Sequence, residues 1–160
     1  MTTIAFDGKI LAADRMLTAN NISYSGTKIH YFNRNEKNYF FCFAGSVETG
    51  MVLLDWIRNG ENPETFPDKQ KNEETWCKNL LIEDGKVYYF EMSPVRILLE
   101  NKKIAIGSGL DVALYILRTG GNAIKAIKEA SKIDIYTGEG INYVKIGDPT
   151  IYKYKKGDKI

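Results

Sequence analysis

Two threonines, Thr2 and Thr3, follow the start methionine in "MTTIAFDG". A threonine hydroxyl is a weak nucleophile, but a threonine at the first position of a chain carries its own base, the free α-amine beside it. An α-amine has an unperturbed pKa of about 7.7–8.0, which suits proton transfer near neutral pH better than an ordinary lysine does. Such chemistry sets four conditions. Met1 must be removed, which a small residue such as Thr2 favours. The threonine must sit on a rigid element, a nearby cation must depress the amine pKa, and a backbone N–H must receive the oxyanion.

Other site chemistries find little support. His30 is the single histidine, so no histidine cluster builds a zinc site, and a Ser–His–Asp triad would rest on a residue in a strand pattern, read here as a half-buried sheet histidine. "GSG" at Gly107, Ser108 and Gly109 lacks the spacing and the lysine of a phosphate loop. Glu73 and Glu74 read as solvated charges in a polar stretch. Cys42 and Cys77 lie in apolar, strand-like surroundings and read as buried free thiols. Neither a metal nor a cofactor is expected.

The totals agree with an ordinary globular chain. At 160 residues, with 44% hydrophobic and 26% charged, the expectation is one domain spanning 1–160 with a sizeable core. A net charge of +2 is too small to argue for nucleic acid or a membrane surface, and only the tail, with Lys153, Lys155, Lys156 and Lys159, concentrates basic residues. No apolar run is long enough to span a bilayer and no leader pattern is visible, so a cytosolic protein is expected.

The elements that must position Thr2 are legible from hydrophobic period and turn residues. Asp7-Gly8 separates residues 2–6 from 9–14 and predicts a two-residue hairpin pairing Phe6 with Lys9 and Thr2 with Ala13, which brings Asp14 beside the chain end. "KIHYF" and "NYFFCFAG" form a second hairpin around a turn at residues 33–37. A helix follows, N-capped by Ser46 and closed by Gly60, with Val47, Met51, Leu54 and Ile57 on one face. Gly50 weakens it unless something packs closely there. Residues 61–75, with Pro63 and Pro67, form a loop. "WCKNLLIEDGKVYYFEM" is a hairpin around Asp84-Gly85, and "VRILLENKKIAIG" another, turning near Asn101-Lys102. Two helices come next, the first opened by Ser108 or nearby and closed by Gly120-Gly121, the second carrying Ile124, Ile127 and Ala130. The strands "INYVKI" and "TIYKYKK" end the chain. This order favours an α+β arrangement of antiparallel sheets covered by helices.

The ordered pattern "TTIAFDGKILAADR…SGTKIHYF…FFCFAGSVETG…IAIGSGLDVAL…DIYTGEG" resembles the proteasome β-subunit family and its HslV-like branch, N-terminal-nucleophile (Ntn) threonine peptidases with an αββα sandwich fold. The resemblance spans most of the chain and is patchy between about residues 59 and 103. It implies Thr2 as nucleophile, Lys28 as the cation, Asp14 as its partner, and Gly45 as the oxyanion N–H. It further implies Ser108 near the amine, and Asp134 and Thr137 ordering the site. Phe43 and Val47 would line the pocket for the side chain before the cut, with an apolar preference. A peptide or unfolded-protein substrate, a homo-oligomer built as a ring, and an unfoldase ATPase partner are also implied.

The chain departs from that pattern in two places. Its first hairpin is shorter, and residues 61–75 cannot form the second long helix that contributes to ring contacts, so the first helical layer is reduced. Two further readings stand beside the peptidase: a catalytically silent proteasome-fold protein that assembles or binds a partner, favoured if Met1 stays, and an Ntn amidase acting on a small amide.

Overall fold

The structure, a computed structural model, describes residues 2–68 and 72–160. Two five-stranded antiparallel sheets stack face to face. The first has the order β10-β1-β2-β11-β12, comprising β1 (Thr3–Phe6), β2 (Ile10–Asp14), β10 (Ile104–Gly107), β11 (Ile141–Lys145) and β12 (Tyr152–Lys153). The second runs β5-β6-β7-β8-β9 in chain order, comprising β5 (Ile29–Arg34), β6 (Lys37–Ala44), β7 (Lys78–Glu83), β8 (Lys86–Phe90) and β9 (Arg96–Leu99). A small separate hairpin pairs β3 (Met16–Ala19) with β4 (Ile22–Ser25). Helices α2 (Leu110–Arg118) and α3 (Ala123–Ala130) cover the first sheet, and α1 (Val47–Arg58) alone covers the second. This is the αββα sandwich of Ntn hydrolases with a reduced helical layer.

Strand alternation builds three cores from two sheets. Ile4, Phe6, Leu11 and Ala13 point between the sheets and meet Phe40, Cys42, Leu80 and Ile82. Their neighbours Ala5, Ile10 and Ala12 point the other way, against Ala113, Leu117, Ala126 and Ile127 of the helices. Alanine at 5, 12, 113 and 126 is what lets helix and sheet approach closely. On the outer face of the second sheet, Phe41, Phe43 and Leu81 pack under Leu53, Leu54 and Ile57. Cys42 and Cys77 are buried free thiols, and burial raises both above the ordinary thiol pKa, Cys77 to about 11.

Three expectations about the elements need correction. The first hairpin pairs Phe6 with Leu11 and Ile4 with Ala13, two residues out of the expected register. The Asp7 carboxylate accepts hydrogen bonds from the Lys9 and Ile10 N–H groups, which makes a three-residue connection in which only Gly8 takes a positive φ. Its other oxygen accepts from the Ala123 N–H and ties the turn to the start of α3. A shift of two residues preserves side-chain facing, so Asp14 still arrives beside Thr2.

The run from Val95 to Gly107 is not a hairpin. β9 joins β8, whereas β10 joins β1 in the opposite sheet, and residues 100–103 cross between them. Four extended residues reach across sheets about 10 Å apart. In α1, Ser46 does cap the N-terminus by accepting from the Thr49 N–H, but the buried face is Thr49, Gly50, Leu53, Leu54, Trp56 and Ile57. Val47 and Met51 are 53% and 42% exposed. The Phe43 ring sets this facing: it lies against Gly50, where any Cβ would overlap it. The second helix opens where expected, next to Ser108, with Gly109 as its cap and no side-chain bond.

Past α1 the chain makes a short turn of 3-10 helix at Pro63–Thr65 and buries Phe66 edge-on against Trp56. The expected loop also contains residues 69–71, which lie outside the described residues. A half-buried ionic network closes the rest of this face. Arg96 makes a bidentate contact with Glu61 at 2.7 and 2.5 Å and a third bond to Glu83 at 2.7 Å. Arg34 reaches Glu61 at 3.1 Å, and the Tyr39 hydroxyl donates to Glu83. Burial opposes ionisation of Glu83, but hydrogen bonds from Arg96 and Tyr39 outweigh it and hold the carboxyl below its usual range.

A group with a depressed folded-state pKa contributes stability above its unfolded pKa and loses it as the pH falls. Arg96→Met is therefore expected to cost about 1–3 kcal/mol at pH 7 in urea unfolding. The gap between wild type and variant should shrink as the pH falls below about 4, where Glu83 protonates.

Candidate active site

β1 and β2 bring Thr2, Thr3 and Asp14 together at the same end of the first sheet, and the start of β5 adds Lys28 from the second. Asp14 is fully buried, and Thr2 and Lys28 are 2% and 5% exposed. One Asp14 oxygen accepts from the Thr2 hydroxyl at 2.5 Å, the Thr3 N–H at 2.9 Å and the Lys28 ammonium at 2.8 Å. The other accepts from the N–H groups of Met16 and Gly138. The Lys28 ammonium also donates to the Thr2 hydroxyl oxygen. A buried carboxylate is tolerable only with partners of this kind. Desolvation lowers the Lys28 pKa, opposed by the Asp14 charge and hydrogen bond and by the more distant Asp134 charge.

A second cluster lies behind the first. Asp134 accepts from the Ser108 hydroxyl at 2.5 Å and from the Thr137 hydroxyl at 2.6 Å. Because Thr137 spends its proton there, its 2.6 Å contact with Thr3 must be donated by Thr3, which in turn accepts from the Gly109 N–H. Burial opposes ionisation of Asp134, yet these hydroxyls and the Tyr136 N–H hold its carboxyl below the ordinary value. The "GSG" segment thus lies against the chain's first residues. Ser108 N–H donates to the Thr2 carbonyl at 2.8 Å, a Cβ on Gly107 would overlap that carbonyl, and one on Gly109 would overlap the Thr3 hydroxyl. Gly107 also takes φ +101°, which disfavours any side chain.

The nine residues singled out from sequence divide into three groups in space. Thr2, Asp14 and Lys28 are in direct contact. Ser108, Asp134 and Thr137 form the supporting cluster. Phe43, Gly45 and Val47 line a pocket of about 80 Å³ together with Thr2, Lys28, Leu17, Thr18 and Ala44. Gly45 takes φ +109° at the bend between β6 and α1. His30 is the half-buried sheet histidine expected, stacked on Phe43. Its pKa is lowered by burial and by Arg58. Thr3, Gly107, Gly109, Leu17 and Thr18 were not foreseen. The doubled threonine and the paired glycines were the available signals for the first three.

The Thr2 hydroxyl, the Lys28 ammonium, the buried Asp14 carboxylate that contacts both, and the bend at Gly45 thus meet at one end of the sandwich. Removal of Met1, which nucleophilic chemistry at Thr2 requires, lies outside the described residues. Among the described residues no group of side chains could hold a metal ion, and no helix is long and apolar enough to cross a membrane.

The architecture is similar to known structures whose sequences have diverged far. HslV from Trypanosoma brucei aligns over 89% of this chain and 98% of its own, with 21% identity and a TM-score of 0.66. Anbu, an ancestral β-subunit, from Yersinia bercovieri aligns over 99% of this chain and 88% of its own, with 13% identity and a TM-score of 0.74. The Anbu complex from Pseudomonas aeruginosa, solved as a helical assembly, gives 12% identity and a TM-score of 0.71 over 99% and 88% of the two chains. No family model and no curated protein sequence matches the chain. The fold is similar to that of the HslV and Anbu structures.

Asp14→Asn would leave the Lys28 ammonium buried without its counter-charge and is expected to cost about 3–5 kcal/mol in chemical unfolding, with Asp14→Leu/Lys28→Met recovering much of the loss. Lys28 binds its proton less tightly folded than unfolded. Its burial therefore costs stability at neutral pH that returns as the pH rises towards 10.5. Lys28→Met should remove that rise from the stability–pH curve.

Proposed function

We propose that the chain is a proteasome-type subunit that is catalytically silent while Met1 remains attached and becomes a threonine-type endopeptidase once Thr2 is the first residue. The observation that carries this reading is the Thr2 hydroxyl, 2% exposed and held between the Asp14 carboxylate and the Lys28 ammonium. With Met1 in place the Thr2 nitrogen is part of a peptide bond, and its delocalised lone pair cannot take a proton. A buried hydroxyl without a base favours the silent state, in which the protein serves as an assembling or partner-binding unit.

Removal of Met1 supplies the base. The Thr2 oxygen then attacks the scissile carbonyl carbon while its proton passes to the α-amine, directly or through water. The Gly45 N–H receives the carbonyl oxygen as it becomes an oxyanion. The α-amine returns the proton to the leaving amine as the C–N bond breaks, which leaves an ester on Thr2. Water, deprotonated by the same amine, cleaves that ester and releases the acid. The Lys28 charge depresses the amine pKa and steadies the alkoxide, and Asp14 holds Lys28 in place. Assembly with copies of the same chain is part of the proposal, supported by the fold shared with an Anbu complex that forms a helical assembly.

The test is the intact mass of the natively expressed protein, with peptide cleavage and solution size measured on the same sample. A chain lacking Met1 should cleave unstructured peptides, and Thr2→Ala should abolish cleavage while size stays unchanged. A chain keeping Met1 should be inert. Cleavage retained by Thr2→Ala would refute Thr2 as nucleophile, and a stable monomer would refute the assembly.

A further inference from the structure

A chain end frays unless something ties it down. Here the ladder between β1 and β2 ends at the pair Ile4 and Ala13, so Thr2 and Thr3 run past it. On the other edge of β1 the last pair is Thr3 with Gly107. Thr3 has no exposed surface and is bonded in three directions. Its N–H donates to Asp14 at 2.9 Å. Its hydroxyl donates to Thr137 at 2.6 Å and accepts from the Gly109 N–H at 3.1 Å. Thr3 therefore reaches both carboxylates, Asp14 through its backbone and Asp134 through the Thr137 hydroxyl.

The site is built for a hydroxyl at this position. Valine has nearly the same shape but can neither donate to Thr137 nor accept from Gly109. It would leave the buried Gly109 N–H without its acceptor at the entry to α2. Gly109 is matched to Thr3 in turn, because a Cβ on it would overlap the Thr3 hydroxyl.

The amine and hydroxyl of Thr2 sit on adjacent carbons, so their separation is set by the χ1 rotamer. Asp14 and Lys28 hold the hydroxyl end. The backbone end is held by the Ser108 N–H on the Thr2 carbonyl and by Thr3. We infer that Thr3 is a positioning residue for the reaction at Thr2. Its hydroxyl fixes the backbone that carries the Thr2 amine, so that the amine stays in line with the hydroxyl it must deprotonate. The inference rests on the hydrolase reading and adds to it a residue that acts through Thr2 and Thr137 rather than on the substrate.

The experiment uses the full chain beginning at Thr2, with Thr3→Val and Thr3→Ser, an unstructured fluorogenic peptide, and assays run well below the thermal unfolding of each variant. Thr3→Val should lower kcat by about 10–100-fold, the scale on which a displaced reacting group loses rate. KM should stay unchanged, because no substrate contact is removed. Thr3→Ser keeps the hydroxyl and should restore most of kcat. A purely structural role would lower the unfolding temperature and leave kcat of the folded variant at the wild-type value. If Thr3→Val fails to fold, Thr3→Ala, which puts no methyl against the Gly109 N–H, replaces it. Wild-type kcat in the folded variant lacking the hydroxyl, or a Thr3→Ser variant equally slow, would overturn the inference and leave the hydrolase reading standing. A wild-type chain that cleaves no peptide and takes no electrophile on Thr2 would overturn both.

Discussion

The site depends on one buried carboxylate. Asp14 has no exposed surface and receives five hydrogen bonds, from the Thr2 hydroxyl, the Lys28 ammonium and three backbone N–H groups. Those donors come from β1, from the entry to β5, from the segment after Asp14 itself and from the loop before β11. A buried anion is stable only if such partners are all in place. Satisfying Asp14 therefore fixes the end of the first sheet, the approach of the second and the loop at Gly138 in one geometry. The Thr2 hydroxyl inherits that geometry.

The remaining elements hold the chain's first residues against this centre. Glycine at 107 and 109 lets the turn into α2 lie directly on Thr2 and Thr3, where any side chain would collide. The Thr3 hydroxyl then donates to Thr137, which donates with Ser108 to Asp134, while the Ser108 N–H holds the Thr2 carbonyl. On the other side of the molecule the sheet does without a second long helix. Phe66 packed on Trp56 and the Arg96–Glu61–Glu83 network seal it instead. The reduced layer is therefore closed by a polar clamp in place of helix packing.

Much of this was legible in the sequence where one local signal had one physical outcome. Asp84-Gly85 forms the expected tight hairpin because both residues take positive φ. Asp7-Gly8 has the same letters but a different turn, because Asp7 spends its carboxylate on Lys9, Ile10 and Ala123. No local pattern announces a bond to a helix more than a hundred residues away. The β3–β4 hairpin was missed because its strands are largely exposed and show no apolar alternation. Only Asn20-Asn21, both at positive φ, marks its turn. The apparent hairpin at residues 95–107 failed for the opposite reason. Two good apolar runs sit side by side in sequence, but each completes a different sheet. For the candidate site, the residue order pointed to Thr2, Asp14, Lys28, Ser108, Asp134 and Thr137, which the structure brings together in two contacting clusters, whereas the hydroxyl of Thr3 that links them is visible only in three dimensions.

The central claim is that the amine of Thr2, created by loss of Met1, is the base that activates the Thr2 hydroxyl. The most direct measurement is the pH dependence of covalent modification of Thr2 by a threonine-directed electrophile, followed by intact mass on chains that begin at Thr2 or at Met1. The chain beginning at Thr2 should be modified at a rate that rises through a single ionisation at or below the usual α-amine range of about 7.7–8.0, and the chain beginning at Met1 should not be modified at any pH. Equal modification of the two chains, or none of either, would contradict it.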